Sequence, residues 1–286
     1  MATLEDNLDP NDRSQWFWPR NPQKLAPEAW APLNGALGNG VRLGRLAETG
    51  KAYSVNAFVP KGPWTSLEIP PPGNGRRSRS TGRVPRCGVF RFPGFDEEQW
   101  QQIQCHRKSN RAQFDRTLEL LTNAVISDAD RLFGALDTTV SHGFNWNKGN
   151  ELTVTFDYDR SNYPGLHVDS WEGAELEQRA DAKTRICVNF GPGERFFLYV
   201  PLTLRQILAC LPSDIRRRGA ENSKSAIVEF FTRYPNAPVI RLLVPPGHGY
   251  FADTDNMIHD GSTESIGMGN THLTLRGRYK GFDEQG

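Results

Sequence analysis

His167, Val168 and Asp169 form an H-x-D triplet just after a turn-like Pro164-Gly165, and another histidine follows far downstream in Met257-Ile258-His259-Asp260-Gly261. On an extended segment the side chains of His167 and Asp169 project to one side, because strands alternate faces with period two. Two imidazoles and one carboxylate are the donors that hold three corners of an octahedron around Fe(II) and leave three corners open. The alternative for the triplet is a surface turn closed by a His–Asp hydrogen bond. Of the other histidines, His106 falls in a charged helical stretch and His142 in the polar Ser141-His142-Gly143. His248, in Pro245-Pro246-Gly247-His248-Gly249, reads as a turn between strands and is the competitor to His259. His272 starts a strand on which it shares a face with Thr274, Arg276 and Arg278.

The elements that must position these groups change character along the chain. The first eighty or so residues are rich in Pro and Gly, and Pro70-Pro71-Pro72-Gly73 and Gly75-Arg76-Arg77-Ser78-Arg79-Ser80 read as loop. The basic cluster from Arg76 to Arg86 lacks interleaved aromatics and reads as a solvated loop. Asp96-Glu97-Glu98 suits the first turn of a helix. Phe114, Leu118, Leu121, Val125, Leu132 and Leu136 recur at helical spacing, predicting a helix from about Ala112 to Leu136. From Glu151 strand patterns dominate: Leu152, Val154, Phe156 and Tyr158 alternate with polar residues. Arg185–Phe190 and Arg195–Val200, separated by Gly191-Pro192-Gly193-Glu194, read as a hairpin. Helical stretches are expected at 203–218 and 223–234, then strands at Val239–Val244, Tyr250–Ala252, Met257–Ile258 and Thr271–Tyr279. Many short strands with Gly/Pro turns point to a sandwich, jelly roll or barrel.

This order of strand, H-x-D, hairpin, insertion, strand, His and strand with Arg resembles the Fe(II)/2-oxoglutarate-dependent oxygenases over roughly residues 151–280. The resemblance implies a mainly β fold with flanking helices, its core a double-stranded β-helix (a jelly roll, cupin-like). It implies residues 1–150 as a loop-rich and helical region packing on a core of 151–286, with 203–234 as a helical insertion and candidate lid. It implies His167, Asp169 and His259 as iron ligands, with 2-oxoglutarate and O₂ as cosubstrates and no catalytic residue beyond the ligands. Arg276 would anchor the far carboxylate of 2-oxoglutarate, assisted by Thr274 on the same strand face, with Arg278 the runner-up. An arginine suits that task because its planar fork binds carboxylate bidentately and keeps its charge. The spacing from His259 to Arg276 is longer than is common in the family, and the Gly-, Ser- and Thr-rich stretch 261–270 would absorb the excess. Arg185 and Asn189, on one face of an earlier strand, could also reach the pocket but are not assigned to it. With the carboxylate present, halogenation is not expected; hydroxylation is the default, with desaturation or ring formation from the same chemistry.

Composition narrows the partners. A chain of 286 residues with 37% hydrophobic and 23% charged residues has the make-up of an ordinary globular protein. A formal net charge of +1 supplies no global field for nucleic acid or an anionic membrane. Cys87, Cys105, Cys187 and Cys210 form no C-x-x-C pair and read as reduced thiols. A cytoplasmic protein acting on a small molecule is expected, an amino acid or natural-product intermediate, with the oligomeric state open. Two other classes keep the same fold: a cupin-like iron enzyme that does without 2-oxoglutarate, and a non-catalytic β-barrel binding protein.

Overall fold

The structure, a computed structural model, describes residues 9–20, 29, 31–44, 52–69, 85–98, 100, 101, 103, 104, 110–176, 178–216 and 223–282. The predicted loops at 70–80, Cys105, His106 and residues 217–222 of the predicted insertion lie outside the described residues. In chain order the strands are β1 (Gly35–Gly38), β2 (Val41–Leu43), β3 (Tyr53–Pro60), β4 (Thr65–Leu67) and β5 (Cys87–Arg91). After helix α1 (Arg111–Phe133) come β6 (Val140–Asn147), β7 (Tyr163–Gly165), β8 (Thr184–Pro192) and β9 (Arg195–Thr203). Helices α2 (Leu204–Ala209) and α3 (Ser223–Arg233) precede β10 (Val239–Val244), β11 (His248–Ala252), β12 (Met257–Ser262) and β13 (Asn270–Gly277).

Two antiparallel five-stranded sheets carry the fold, with orders β12-β9-β10-β1-β4 and β5-β11-β8-β13-β6. The segment at His167 bridges to His259 on β12 and so extends the first sheet. From β6 onward the chain therefore passes between the sheets repeatedly: second, first, second, first, first, second, first, second. That weave is a jelly roll, the mainly β core expected from the sequence. A third, small sheet joins β2 to β3 antiparallel and β3 to β7 in parallel.

Three local expectations differ from what is observed. β8 and β9 are not a hairpin, because β8 lies in the second sheet and β9 in the first, so the Gly-Pro-Gly link crosses between layers. Residues 152–156 form no ladder despite their alternation. The amides of Val154 and Thr155 instead meet the Asp260 carboxylate at 3.3 and 3.1 Å, and Val154 N–H also donates to the Gly261 carbonyl at 3.0 Å. The Gly/Pro-rich start contributes β1 and β4 to the first sheet, and β6, which precedes residue 151, pairs along β13.

Helix α1 starts within a residue of its predicted span and ends at Phe133, short of Leu136, which is exposed. Asn110 caps its start by accepting from the Gln113 amide at 3.1 Å, and Gly134, with φ 65°, ends it. Its Phe114, Val125, Ala129 and Phe133 pack with Ile186, Val188, Leu273 and Leu275 of the second sheet. Leu204, Ile207 and Leu208 of α2 and Ala226, Ile227, Phe230 and Phe231 of α3 are buried in one apolar cluster with Phe197, Leu198 and Val200 of β9. The described part of the insertion is thus packed into the core.

Candidate metal centre

The two metal motifs meet because one residue breaks the strand rule just before the first of them. Gly165 has φ 72°, and a Cβ there would run into the Phe58 carbonyl, so only glycine turns the chain cleanly at the end of β7. The chain then runs beside β12, bringing His167 against His259 with ring centroids 4.7 Å apart. Asp169 lies beneath both: His167 Nε2 is 3.5 Å from Asp169 Oδ1, and His259 Nε2 is 3.6 Å from Asp169 Oδ2. The three ligand atoms all lie within 4.8 Å of one another. His248 is elsewhere, at the start of β11, its Nδ1 3.1 Å from the Pro246 carbonyl.

Both imidazoles are oriented from behind. His167 Nδ1 lies 2.8 Å from the Gly165 carbonyl, and His259 Nδ1 lies 3.3 Å from the Met257 carbonyl. A carbonyl accepts only from N–H, so in the neutral ring each contact makes Nε2 the lone-pair donor, the tautomer a metal requires. Asp260 stands behind His167 as well, Oδ2 3.6 Å from Nδ1. Its Oδ1 is fixed by the amides of Val154, Thr155 and Gly261 and by the Thr155 hydroxyl.

Cations crowd the carboxylate. Arg185 Nη1 is 3.2 Å from Asp169 Oδ2 and 3.4 Å from His259 Nε2. Arg276 Nη1 is 3.8 Å from Asp169 Oδ2, while its Nη2 donates to Asp255 Oδ1 at 2.8 Å and to the Lys183 carbonyl at 2.9 Å. Burial by itself would raise the Asp169 carboxyl, but Arg185, then His259 and His167, hold it well below the ordinary carboxylate range. Burial pulls His259 down to about 3, against the pull of Asp169, so its imidazole is neutral. Burial also works against a charged His167, but Asp169 and Asp260 outweigh it and hold the group up to about 10. An anionic carboxylate and two imidazoles, one neutral and one that gives up a proton on binding, are a donor set that fits Fe(II).

The register fixes the remaining residues. Arg276 lies opposite Arg185, Thr274 opposite Cys187 and His272 opposite Asn189 across β13 and β8. Thr274 is buried, its hydroxyl without a hydrogen-bond partner. Thus Arg276 comes in beside Asp169, level with the metal ligands, rather than a step away from them. Arg278 is on the surface, paired with Asp137 at 3.2 Å. Asn189 is used structurally, donating to the Gly193 and Val244 carbonyls, and His272 Nδ1 contacts Asn147. Arg86, the described end of the basic cluster, pairs with Asp253 at 2.8 Å. Near these residues Trp171 is 52% exposed, with the His142 ring tilted against it at 4.4 Å between centroids and the Arg276 guanidinium 5.8 Å from its ring.

The sequence gives no prominence to Arg195, Asp255, Asp260 or Trp171. One of them carried a signal: Arg195 alternates with Phe197 and Tyr199, a charge on the apolar face of a strand.

No protein-family model matches the chain, and no curated protein matches it. Among the described residues no helix is long and apolar enough to cross a membrane. Solved structures of the Kdo hydroxylase KdoO, a non-heme Fe(II) alphaketoglutarate dependent dioxygenase, are similar in part. The complex with alphaketoglutarate and Fe(III) has a TM-score of 0.45 and 14% identity over 68% of this chain and 80% of that one. The complex with succinate and Fe(III) has a TM-score of 0.42 at 14% identity over the same shares. The apo structure has a TM-score of 0.39 and 15% identity over 60% of this chain and 64% of that one.

Proposed function

We propose that the protein is a non-haem Fe(II)/2-oxoglutarate-dependent oxygenase that hydroxylates, desaturates or cyclises a small molecule such as an amino acid or natural-product intermediate. The observation that carries this reading is the convergence of His167, Asp169 and His259 at one end of a jelly roll, each imidazole presenting Nε2. Iron bound there would supply oxygen chemistry that turns 2-oxoglutarate and O₂ into succinate and CO₂ while oxidising the substrate.

The chain's own part is positioning and charge. The Gly165 and Met257 carbonyls fix the two imidazoles, and Arg185 helps to keep Asp169 anionic. Trp171, half exposed and with His142 tilted against it, offers an aromatic contact for the substrate. Near-neutral net charge favours a small molecule over nucleic acid.

Fe(II)-loaded protein given 2-oxoglutarate and O₂ should form succinate, and His259→Ala should form none. Iron binding without any consumption of 2-oxoglutarate would replace this reading by the cupin-like iron enzyme. Failure to bind iron at all would leave a binding protein.

A further inference from the structure

We infer that the protein carries a second small-molecule site, remote from the metal ligands, that takes a carboxylate with an apolar body. The site is a cleft of about 380 Å³ lined by Pro32, Arg91, Phe92, Phe95, Pro246 and His248. His248 opens β11 and Arg91 closes β5, and the two lie directly opposite one another in the ladder. Ala252, at the other end of β11, pairs with Arg185, the residue that touches Asp169. The four residues of strand between His248 and Ala252 span about 13 Å. A ligand held at the His248 end is therefore separate from the metal centre.

The polar end of the cleft is cationic. Opposite residues of an antiparallel pair project to the same side with Cβ atoms about 5 Å apart, so Arg91 and His248 present their polar groups together. Arg91 is exposed and, among the described residues, has no ion pair or hydrogen bond. His248 Nδ1 lies 3.1 Å from the Pro246 carbonyl, which can only accept, so the ring is held through Nδ1–H and Nε2 is the nitrogen left over. No acidic side chain of the described residues lines the cleft. A guanidinium without a carboxylate beside it matches a carboxylate ligand, whose two oxygens its fork binds in parallel.

The rest of the cleft is apolar and held in shape. Phe92 N–H donates to the Gly247 carbonyl at 2.9 Å, and Gly247 N–H donates to the Asn189 carbonyl at 2.9 Å. Gly247 has φ 74°, and a Cβ there would strike the Phe95 ring, so the glycine lets that ring lie against the turn. Phe95 in turn packs edge-on against Phe190, with ring centroids 5.8 Å apart. Phe95 and Pro246 are half-buried and offer apolar faces to a ring or a short alkyl chain. A volume of about 380 Å³ is at the small end for ligand pockets, which suits a body of one ring rather than a peptide. His248 is thus a lining residue of this cleft, which accounts for a histidine in the Pro-Pro-Gly-His-Gly turn that the metal does not use.

The probe is 3-phenylpropionate, titrated by ligand-observed NMR into the full chain loaded anaerobically with Fe(II) and 2-oxoglutarate. It should bind with a Kd on the order of 1 mM, the scale of a molecule this small. Arg91→Gln, at an exposed position, should weaken binding about tenfold, the scale of a lost charge-assisted hydrogen bond. The uncharged 3-phenylpropan-1-ol should bind about tenfold more weakly than the acid and should not respond to Arg91→Gln. Inorganic phosphate, an anion without an apolar body, should bind more weakly than the acid. The acid's affinity should be the same with and without Fe(II) and 2-oxoglutarate, and the same in His259→Ala. No detectable binding overturns the proposal, as does an alcohol or a phosphate that binds as tightly as the acid. Binding untouched by Arg91→Gln, or lost when 2-oxoglutarate saturates the metal centre, also overturns it. Neither result bears on whether the metal centre uses 2-oxoglutarate.

Discussion

His167 and His259 are joined backbone to backbone: the His167 amide donates to the His259 carbonyl at 3.0 Å, and the His259 amide donates to the His167 carbonyl at 2.7 Å. The same two residues that present Nε2 to the site therefore also stitch the H-x-D segment to β12. Ligand geometry is set by a β-bridge rather than by side-chain flexibility, which pre-organises the centre.

The first consequence concerns metal affinity. His259→Ala should weaken Fe(II) binding beyond the roughly 10–100-fold typical of losing an outer-sphere partner. His248→Ala should leave it unchanged, because His248 lies at the start of β11 against Pro246. Equilibrium titration with Fe(II) under anaerobic conditions measures both, and the reverse ranking would move the centre.

Asp260→Asn should lower Fe(II) affinity about 10–100-fold, since Asp260 Oδ2 stands 3.6 Å from His167 Nδ1. Thr155→Val provides the contrast. It removes one donor to Asp260 Oδ1 and should cost about 1 kcal/mol of stability, read by urea unfolding, with little change in metal affinity.

Most of the centre was legible in the sequence because ligand spacing and strand alternation are local properties. The shared side of His167 and Asp169 and the common face of Thr274 and Arg276 follow from period two, while the late histidine was marked by its place at a strand end and by the family resemblance. What was not legible depends on which layer a strand joins. β8 and β9 are buried almost throughout, so their residues do not mark which sheet each enters, and a Gly-Pro-Gly link looks the same in a hairpin as in a crossover. Residues 152–156 alternate like a strand, yet part of their hydrogen bonding goes to the Asp260 carboxylate, a partner about a hundred residues away. Arginine is the hardest type to place: Arg195 and Arg276 are buried and Arg278 is exposed, and nothing adjacent to them in sequence separates the cases.

Stability should depend on pH in two opposed ways. His167 is held up to about 10 when folded, against about 6.5 unfolded, so its contribution is fully present below about 6.5 and fades as pH rises toward 10. His259 is pulled down to about 3 and His272 well below its ordinary value, both chiefly by burial. Their contribution is present above about 6.5 and is lost as pH falls below it. The metal-free protein should therefore melt highest near pH 6.5 and lose stability up to about pH 8.5, where thiols begin to titrate. Metal binding displaces the His167 proton and should flatten that alkaline limb. Thermal melts of the metal-free protein that are flat between those pH values would contradict the assignment.

Arg276→Gln should destabilise the fold by about 3–5 kcal/mol, because it leaves Asp255 buried without its counterion. Arg278→Gln, whose side chain is 48% exposed, should change stability by less than about 1 kcal/mol. Urea midpoints separate the two, and equal effects would mean that the Arg276–Asp255 pair contributes little.

The most direct measurement is visible absorption during anaerobic addition of Fe(II) and then 2-oxoglutarate to the full chain. The account predicts one Fe(II) per chain, no visible band with Fe(II) alone, and a weak charge-transfer band once the keto acid chelates the metal. His259→Ala should show no band. A wild-type protein that binds Fe(II) yet develops no band at saturating 2-oxoglutarate would contradict the central claim.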